Sequence, residues 1–137
     1  GHYAWFTGES PEDDSLTAAS PRPEPGVYLV PWRLDVGATG PKRMLGDSLG
    51  EPSRPMLARL QHATLVGAIG QAASGPKRKV LAMRTLELDG TLSPWLYLGS
   101  GVKSAAIAGQ GAHTAWAAWT EVGDAGTRVR VARLGRR

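Results

Sequence analysis

Cysteine is absent from this sequence of 137 residues, which excludes a disulfide framework and any thiolate metal site. Phenylalanine is scarce, since there is one Phe against five Trp, so a few large rings must fill gaps between smaller core residues. Long apolar runs are also missing. The uncharged stretch Ser104–Thr120 contains Gly, Gln, Ser, Thr and His, and it is too short and too polar to span a bilayer. We therefore expect no membrane span.

Motifs for the common chemistries are absent as well. The sequence has no glycine-rich phosphate loop, no Ser-His-Asp arrangement, no zinc motif and no EF-hand spacing. We therefore expect no catalytic residue, no cofactor and no metal. The lack of cysteine leaves the cellular compartment open. We favour a secreted or cell-surface location in a bacterium, because secreted bacterial proteins often lack cysteine.

The sequence does contain a repeat. His62–Gln71 resembles Ala112–Glu121, and a third version opens the chain at His2–Glu9. The period is about 50 to 60 residues, which is typical of propellers, solenoids and arrays. We predict one segment, 1–137, with repeats at approximately 1–54, 55–104 and 105–137.

The turn-forming residues predict an all-β chain, because eighteen Gly and ten Pro lie among many short apolar runs. The middle repeat has four predicted strands, with an Asp89-Gly90 turn before the last, and the third repeat has three. A polar, proline-rich insertion, 9–25, divides the first repeat. The predicted strands are 3–7, 26–34 and 43–46, then 55–60, 62–71, 79–88 and 95–98, then 105–108, 113–122 and 128–134.

The polarity of these strands predicts which faces are covered. Ala63–Ile69 and Ala115–Trp119 are apolar or small on both faces, which is typical of strands buried on both sides. Trp116 and Trp119 are therefore expected in the core. In 128–134, arginines alternate with valines, which predicts valines inside and arginines in solvent. Four-stranded antiparallel units of this kind favour propeller blades, with a β-sandwich as the competing architecture.

The segments that carry a family resemblance are Val80–Arg84, Asp89–Thr91, Ala105–Ala108, Thr114–Trp119 and Val129–Arg133. Through them the chain resembles bacterial β-propellers built from degenerate repeats of about 50 residues. It does not carry the boxes of the sialidase or WD40 propellers. The resemblance implies a partial β-propeller of about two and a half four-stranded antiparallel blades.

A partial ring has consequences for partners. A propeller usually needs at least four blades, and incomplete blades would leave large apolar patches in water. We therefore expect a homo-oligomer, or a second chain that completes the propeller. Strand exchange at an unpaired edge is one route to such an assembly.

Charge is distributed unevenly around a net charge of +4. The insertion carries the acidic residues Glu9, Glu12, Asp13 and Asp14, which we take as the candidate partner contact. The end of the chain is rich in arginine, but no aromatic residue is interleaved there. A solvated strand is thus favoured over a nucleic-acid contact.

Two tryptophans are the candidate ligand-binding residues. Trp32 and Trp95 lie near predicted turns, where an aromatic face can stack on a sugar ring, so a glycan is the ligand they would take. His2, His62 and His113 occupy nearly equivalent repeat positions. We interpret them as residues that begin strands, in preference to a metal-binding ring.

These observations favour a non-enzymatic binding or scaffold module. In this hypothesis the chain forms part of a β-propeller completed by self-association or by a partner chain. The alternatives are a lectin-like carbohydrate-binding propeller and a fragment of a propeller-type glycan hydrolase.

Overall fold

A computed structural model describes residues 2–7, 26–45 and 48–135. Within these residues the chain forms β-strands and no helix, so no described helix could cross a membrane. The strands are β1 (His2–Thr7), β2 (Val27–Arg33), β3 (Gly37–Ala38), β4 (Arg43–Met44), β5 (Leu49–Arg59), β6 (Ala63–Ala72), β7 (Lys79–Glu87), β8 (Leu96–Leu98), β9 (Val102–Gln110), β10 (Thr114–Gly123) and β11 (Gly126–Gly135).

The strands form three antiparallel sheets, which confirms the all-β prediction. In sheet 1, β1 pairs with β2, and both β3 and β4 pair with β2. Sheet 2 has the order β5-β6-β7-β8, and sheet 3 has the order β9-β10-β11. Sequence neighbours are therefore neighbours in sheets 2 and 3, as the repeats predicted.

The Asp89-Gly90 turn connects β7 to β8 as predicted. The Asp89 carboxylate accepts a hydrogen bond of 2.9 Å from the Thr91 backbone amide. Gly90 has a φ of +89°, which a residue with a side chain rarely adopts. The turn therefore depends on both residues of the pair.

Strand β5 begins earlier than predicted, at Leu49, although it contains Pro52 and Pro55. The register with β6 shifts between Gly50 and Ser53 and again between Ser53 and Met56. Glu51 and Arg54 have positive φ, at 43° and 50°. The prolines are tolerated because they lie at these irregularities on an edge strand, where no ladder amide is required.

Sheet 2 lies between sheets 1 and 3. On one face of β6, Leu65 and Ile69 pack in a cluster with residues of sheet 3. On the other face, Val66 and Ala68 pack in clusters with residues of sheet 1. The prediction that this strand is covered on both sides is confirmed.

Small residues set the spacing between sheets 2 and 3. A Cβ added to Gly67 would lie 3.2 Å from Ile107 Cδ1. A Cβ added to Gly109 would collide with the carbonyl oxygen of Arg59. Strands β5 and β9 make the most extensive contact between these two sheets. The backbones approach closely there because glycine has no side chain.

The described residues cover sheet 3 on one face only. Ala115, Ala117 and Trp119 are buried against sheet 2, whereas Trp116 on the opposite face is 40% exposed. Val129 and Val131 are 73% and 66% exposed. The predictions that β10 is covered on both sides and that these valines point inward are therefore wrong, because no further layer of the described residues covers this face.

Candidate interaction surface on the third sheet

The two tryptophans predicted to bind a ligand lie apart, since Trp32 belongs to β2 of sheet 1 and Trp95 immediately precedes β8 of sheet 2. Trp95 is half-buried and packs against core clusters of sheets 1 and 2. The Arg84 guanidinium lies 4.6 Å from the centre of its ring. Trp32, at the end of β2, is 36% exposed and adjoins Gly37, where a Cβ would lie 3.7 Å from the ring. Glycan binding by these two residues stays a prediction.

The other predicted groups are placed as follows. The acidic residues Glu9, Glu12, Asp13 and Asp14 lie outside the described residues, so their role as a partner contact stays a prediction. His62 and His113 are exposed, and each immediately precedes the second strand of its sheet. Within the described part of the chain, no group of three or more histidine or carboxylate side chains could hold a metal ion.

The uncovered side of sheet 3 is here called the outer face. Its members follow from the register, because residues paired directly across an antiparallel ladder share a face. Trp116 pairs with Arg133 and Ala108, and Ala118 pairs with Val131 and Ala106. The outer face includes Ser104, Ala106, Ala108, Gln110, Thr114, Trp116, Ala118, Thr120, Val129, Val131 and Arg133.

Polar groups of the outer face are paired with one another or with near neighbours. The Trp116 Nε1 donates a hydrogen bond of 3.0 Å to Gln110 Oε1, and the Arg133 guanidinium lies 5.9 Å from the ring centre. The hydroxyls of Ser104 and Thr120 are 2.7 Å apart. Apart from the exposed Arg133 and Ser104 at its margins, this face presents the Trp116 ring and the methyl groups of alanine and valine to solvent.

The outer face corresponds to the face of sheet 2 that sheet 3 covers. Sheets 1, 2 and 3 are stacked in chain order. The face of sheet 2 that points away from sheet 1 therefore corresponds to the face of sheet 3 that points away from sheet 2. Counting from His62 and His113, Leu65 corresponds to Trp116 and Gly67 to Ala118. The sequence comparison of His62–Gln71 with Ala112–Glu121 aligned Leu65 with Ala115, which is one residue before Trp116. The shared histidine was the signal for the correct offset.

A cleft opens between sheets 2 and 3 near the β10–β11 hairpin. Its volume is about 480 Å³, and its lining includes four basic residues, Arg78, Lys79, Lys103 and Arg128, against two acidic ones, Glu121 and Asp124. Lys79 forms an ion pair of 3.0 Å with Glu51. Neither Arg78 nor Arg128 has a carboxylate within ion-pair distance among the residues described.

Glu121 forms part of the lining of this basic cleft. Its carboxylate accepts a hydrogen bond of 2.9 Å from the Trp119 Nε1 and one of 3.4 Å from the Arg130 Nε. The Trp119 bond is the main reason that the pKa of Glu121 lies below its ordinary value, and the Ser100 amide and Arg130 act in the same direction. The carboxylate is therefore already supplied with donors.

A second cleft opens between the same two sheets at the other end of β11. Its volume is about 270 Å³. Most of its accessible lining is apolar, and it includes Leu60, Leu65, Met83, Leu96 and Leu134. Leu96 is 46% exposed although it lies beside the core. The inner side of β11 therefore runs from a basic cleft to an apolar one.

Comparison with known proteins finds no matching family model, no matching curated protein and no matching solved structure. Two features of sheet 3 bear on function. One is the apolar outer face. The other is the edge of β11 that faces away from β10, with which no described strand pairs.

Proposed function

We propose that this protein is a non-enzymatic binding or scaffold module. It forms part of a β-propeller that is completed by self-association or by a partner chain. The observation that carries this proposal is the outer face of sheet 3, where Trp116, Val129 and Val131 are exposed among alanines, with Arg133 beside Trp116. Such patches mark interaction sites in soluble proteins.

The stacking of the sheets supports a propeller arrangement. Three antiparallel sheets follow one another along the chain, and sheet 2 is covered on both faces in the way that a blade is covered by its neighbours. A fourth sheet on the outer face would repeat the contact that sheet 3 makes with sheet 2. In a propeller that repetition continues until the ring closes.

The size of the outer face sets the strength of association that we expect. Three strands spaced about 4.8 Å apart, with about nine residues rising 3.3 Å each, cover about 430 Å² per partner. A standard interface buries about 800 Å² on each partner. The outer face alone therefore supports association in the micromolar range or weaker. A tighter complex must also use the edge of β11.

The test is the mass of the protein in solution across about 1 to 200 µM, measured by sedimentation velocity. We expect wild type to associate in this range. Val131→Glu should shift the midpoint at least tenfold to higher concentration, because it places a charge among the exposed apolar residues of the outer face, next to Ala118 of the central strand. Leu88→Glu is the matched control, since Leu88 is an exposed leucine in the turn after β7.

Two outcomes would contradict the self-association form of this proposal. One is a wild-type protein that stays monomeric at about 200 µM. The other is an assembly that Val131→Glu and Leu88→Glu affect equally, since association would then not use the outer face.

A further inference from the structure

The open edge of β11 offers backbone groups to another strand. Strand β11 is ten residues long and pairs with β10 alone among the described strands. In sheet 2 the corresponding edge is occupied, because β8 pairs with β7 from Leu81 to Met83. An unpaired edge of this length is a template for strand addition.

The apolar cleft lies beside this open edge. Leu96 pairs with Met83 across β8 and β7, so both side chains share the face of sheet 2 that points to sheet 3. From sheet 3, Leu134 lines the same cleft. A strand added to β11 would become the fourth strand of sheet 3 and would cover the exposed part of Leu96.

The basic cleft lies at the opposite end of the same edge. Arg128, Arg130, Ala132 and Leu134 share the inner face of β11, because side chains alternate with a period of two. Arg128 and Arg78 line the basic cleft together. The six-residue distance from Arg128 to Leu134 corresponds to about 20 Å along the strand.

We propose that an extended strand of a different chain pairs antiparallel with β11 and carries apolar residues followed by acidic ones. Apolar side chains lie opposite Leu134 and Ala132, and carboxylates lie opposite Arg130 and Arg128. From its N-terminus the strand reads apolar, any, apolar, any, acidic, any, acidic. Such a strand is one part of the completion proposed above and presupposes it.

Residues 1–137 contain no window with the pattern that this strand requires. Only two pairs of acidic residues are spaced by two positions, Glu12 with Asp14 and Glu87 with Asp89. The positions four residues before them are Gly8 and Met83, and Met83 is followed two residues later by Thr85, so neither window has the required pattern. A second copy of residues 1–137 therefore does not supply the strand.

The experiment is a titration of the full chain with a synthetic nine-residue peptide of this pattern, followed by amide chemical shifts. Binding should shift and protect the amides of β11, with a dissociation constant below about 1 mM. A peptide with lysines in place of the carboxylates should bind at least tenfold more weakly, since attraction becomes repulsion.

Charge reversal in the protein tests the register. Arg128→Glu should weaken binding of the acidic peptide about tenfold and restore binding of the lysine peptide. Arg133→Glu is the matched control, because Arg133 lies on the same strand but on the outer face. It should change the affinity of either peptide less than twofold.

Two results would overturn the inference. One is the absence of shifts in β11 at about 1 mM peptide, and the other is an Arg128→Glu effect no larger than that of Arg133→Glu. The outer-face variant Val131→Glu separates the two proposals. If the protein associates, Val131→Glu weakens that association and the peptide does not bind, only the proposal of strand addition is overturned. The absence of both overturns the strand and the self-associating module together.

Discussion

Gly109→Ala is expected to separate sheets 2 and 3 where their backbones come closest. The added Cβ would collide with the Arg59 carbonyl oxygen and would lie 2.8 Å from the Arg59 carbonyl carbon. The Leu60 side chain is the third neighbour, at 3.1 Å. The obstacle is backbone, which has no alternative rotamer, so β5 and β9 must move apart.

The size of the effect follows from the displacement. Ordinary contact begins at 3.4 Å, so the carbonyl carbon alone requires a shift of 0.6 Å (3.4 minus 2.8). A gap of this size removes a quarter or more of the attraction between the packed atoms on either side. Overpacking of this kind typically costs about 1 to 3 kcal/mol. We expect the upper half of that range, about 2 to 3 kcal/mol.

The assay is urea unfolding at a fixed protein concentration, because association would otherwise alter the midpoint. With a slope of about 2 kcal/mol per molar, the midpoint should fall by about 1 M. Gly123→Ala is the matched control, since a Cβ there meets nothing within 4 Å. Equal midpoints for the two variants would refute the close approach of β5 and β9, and with it the stacking of sheets 2 and 3.

Two further predictions concern single side chains. The pKa of Glu121 is lowered in the folded protein, so its stabilisation is present above the ordinary pKa of a glutamate and is lost as pH falls through the lowered value. Glu121→Gln should therefore reduce the fall in urea midpoint between pH 7 and pH 3, and an unchanged fall would contradict the Trp119 hydrogen bond. Arg84 is buried and donates to the backbone carbonyls of Ser93 and Leu45, at 2.9 and 3.1 Å. Arg84→Met should lower the free energy of unfolding by about 2 to 4 kcal/mol, because it leaves these acceptors unpaired. The exposed-site control Arg59→Met should change it by less than about 0.5 kcal/mol, and an equal loss in both variants would contradict this role of Arg84.

Strand order was predictable from the sequence because the turns are marked. The Asp89-Gly90 pair and the glycines of the hairpin at 123–126 delimit strands whose order the repeats then fixed. The start of β5 was missed since Pro52 and Pro55 normally end a strand, and the bulges that accommodate them leave no pattern in the sequence.

The covered face of sheet 3 was not predictable in the same way. Strand β10 contains only small or apolar residues from Ala115 to Trp119, so its composition does not show which side meets sheet 2. In β11 the predicted alternation of side chains was correct, but the two faces were assigned the wrong way round. Arg128 and Arg130 lie on the face toward sheet 2, while Val129 and Val131 point outward. The open edge of β11 is also a property of pairing, which depends on the whole sheet and not on local sequence.

Because the three sheets are stacked in a row, the stability of each depends to a different degree on its neighbours. Among the described sheets, only sheet 2 has a neighbour on each side. Its arrangement is like that of arrays whose stability is the sum of unit and nearest-neighbour terms. Removing sheet 3 would leave sheets 1 and 2 in contact, whereas removing sheet 2 would leave the other two with nothing to pack on. The central unit is therefore the one around which the terminal units must assemble.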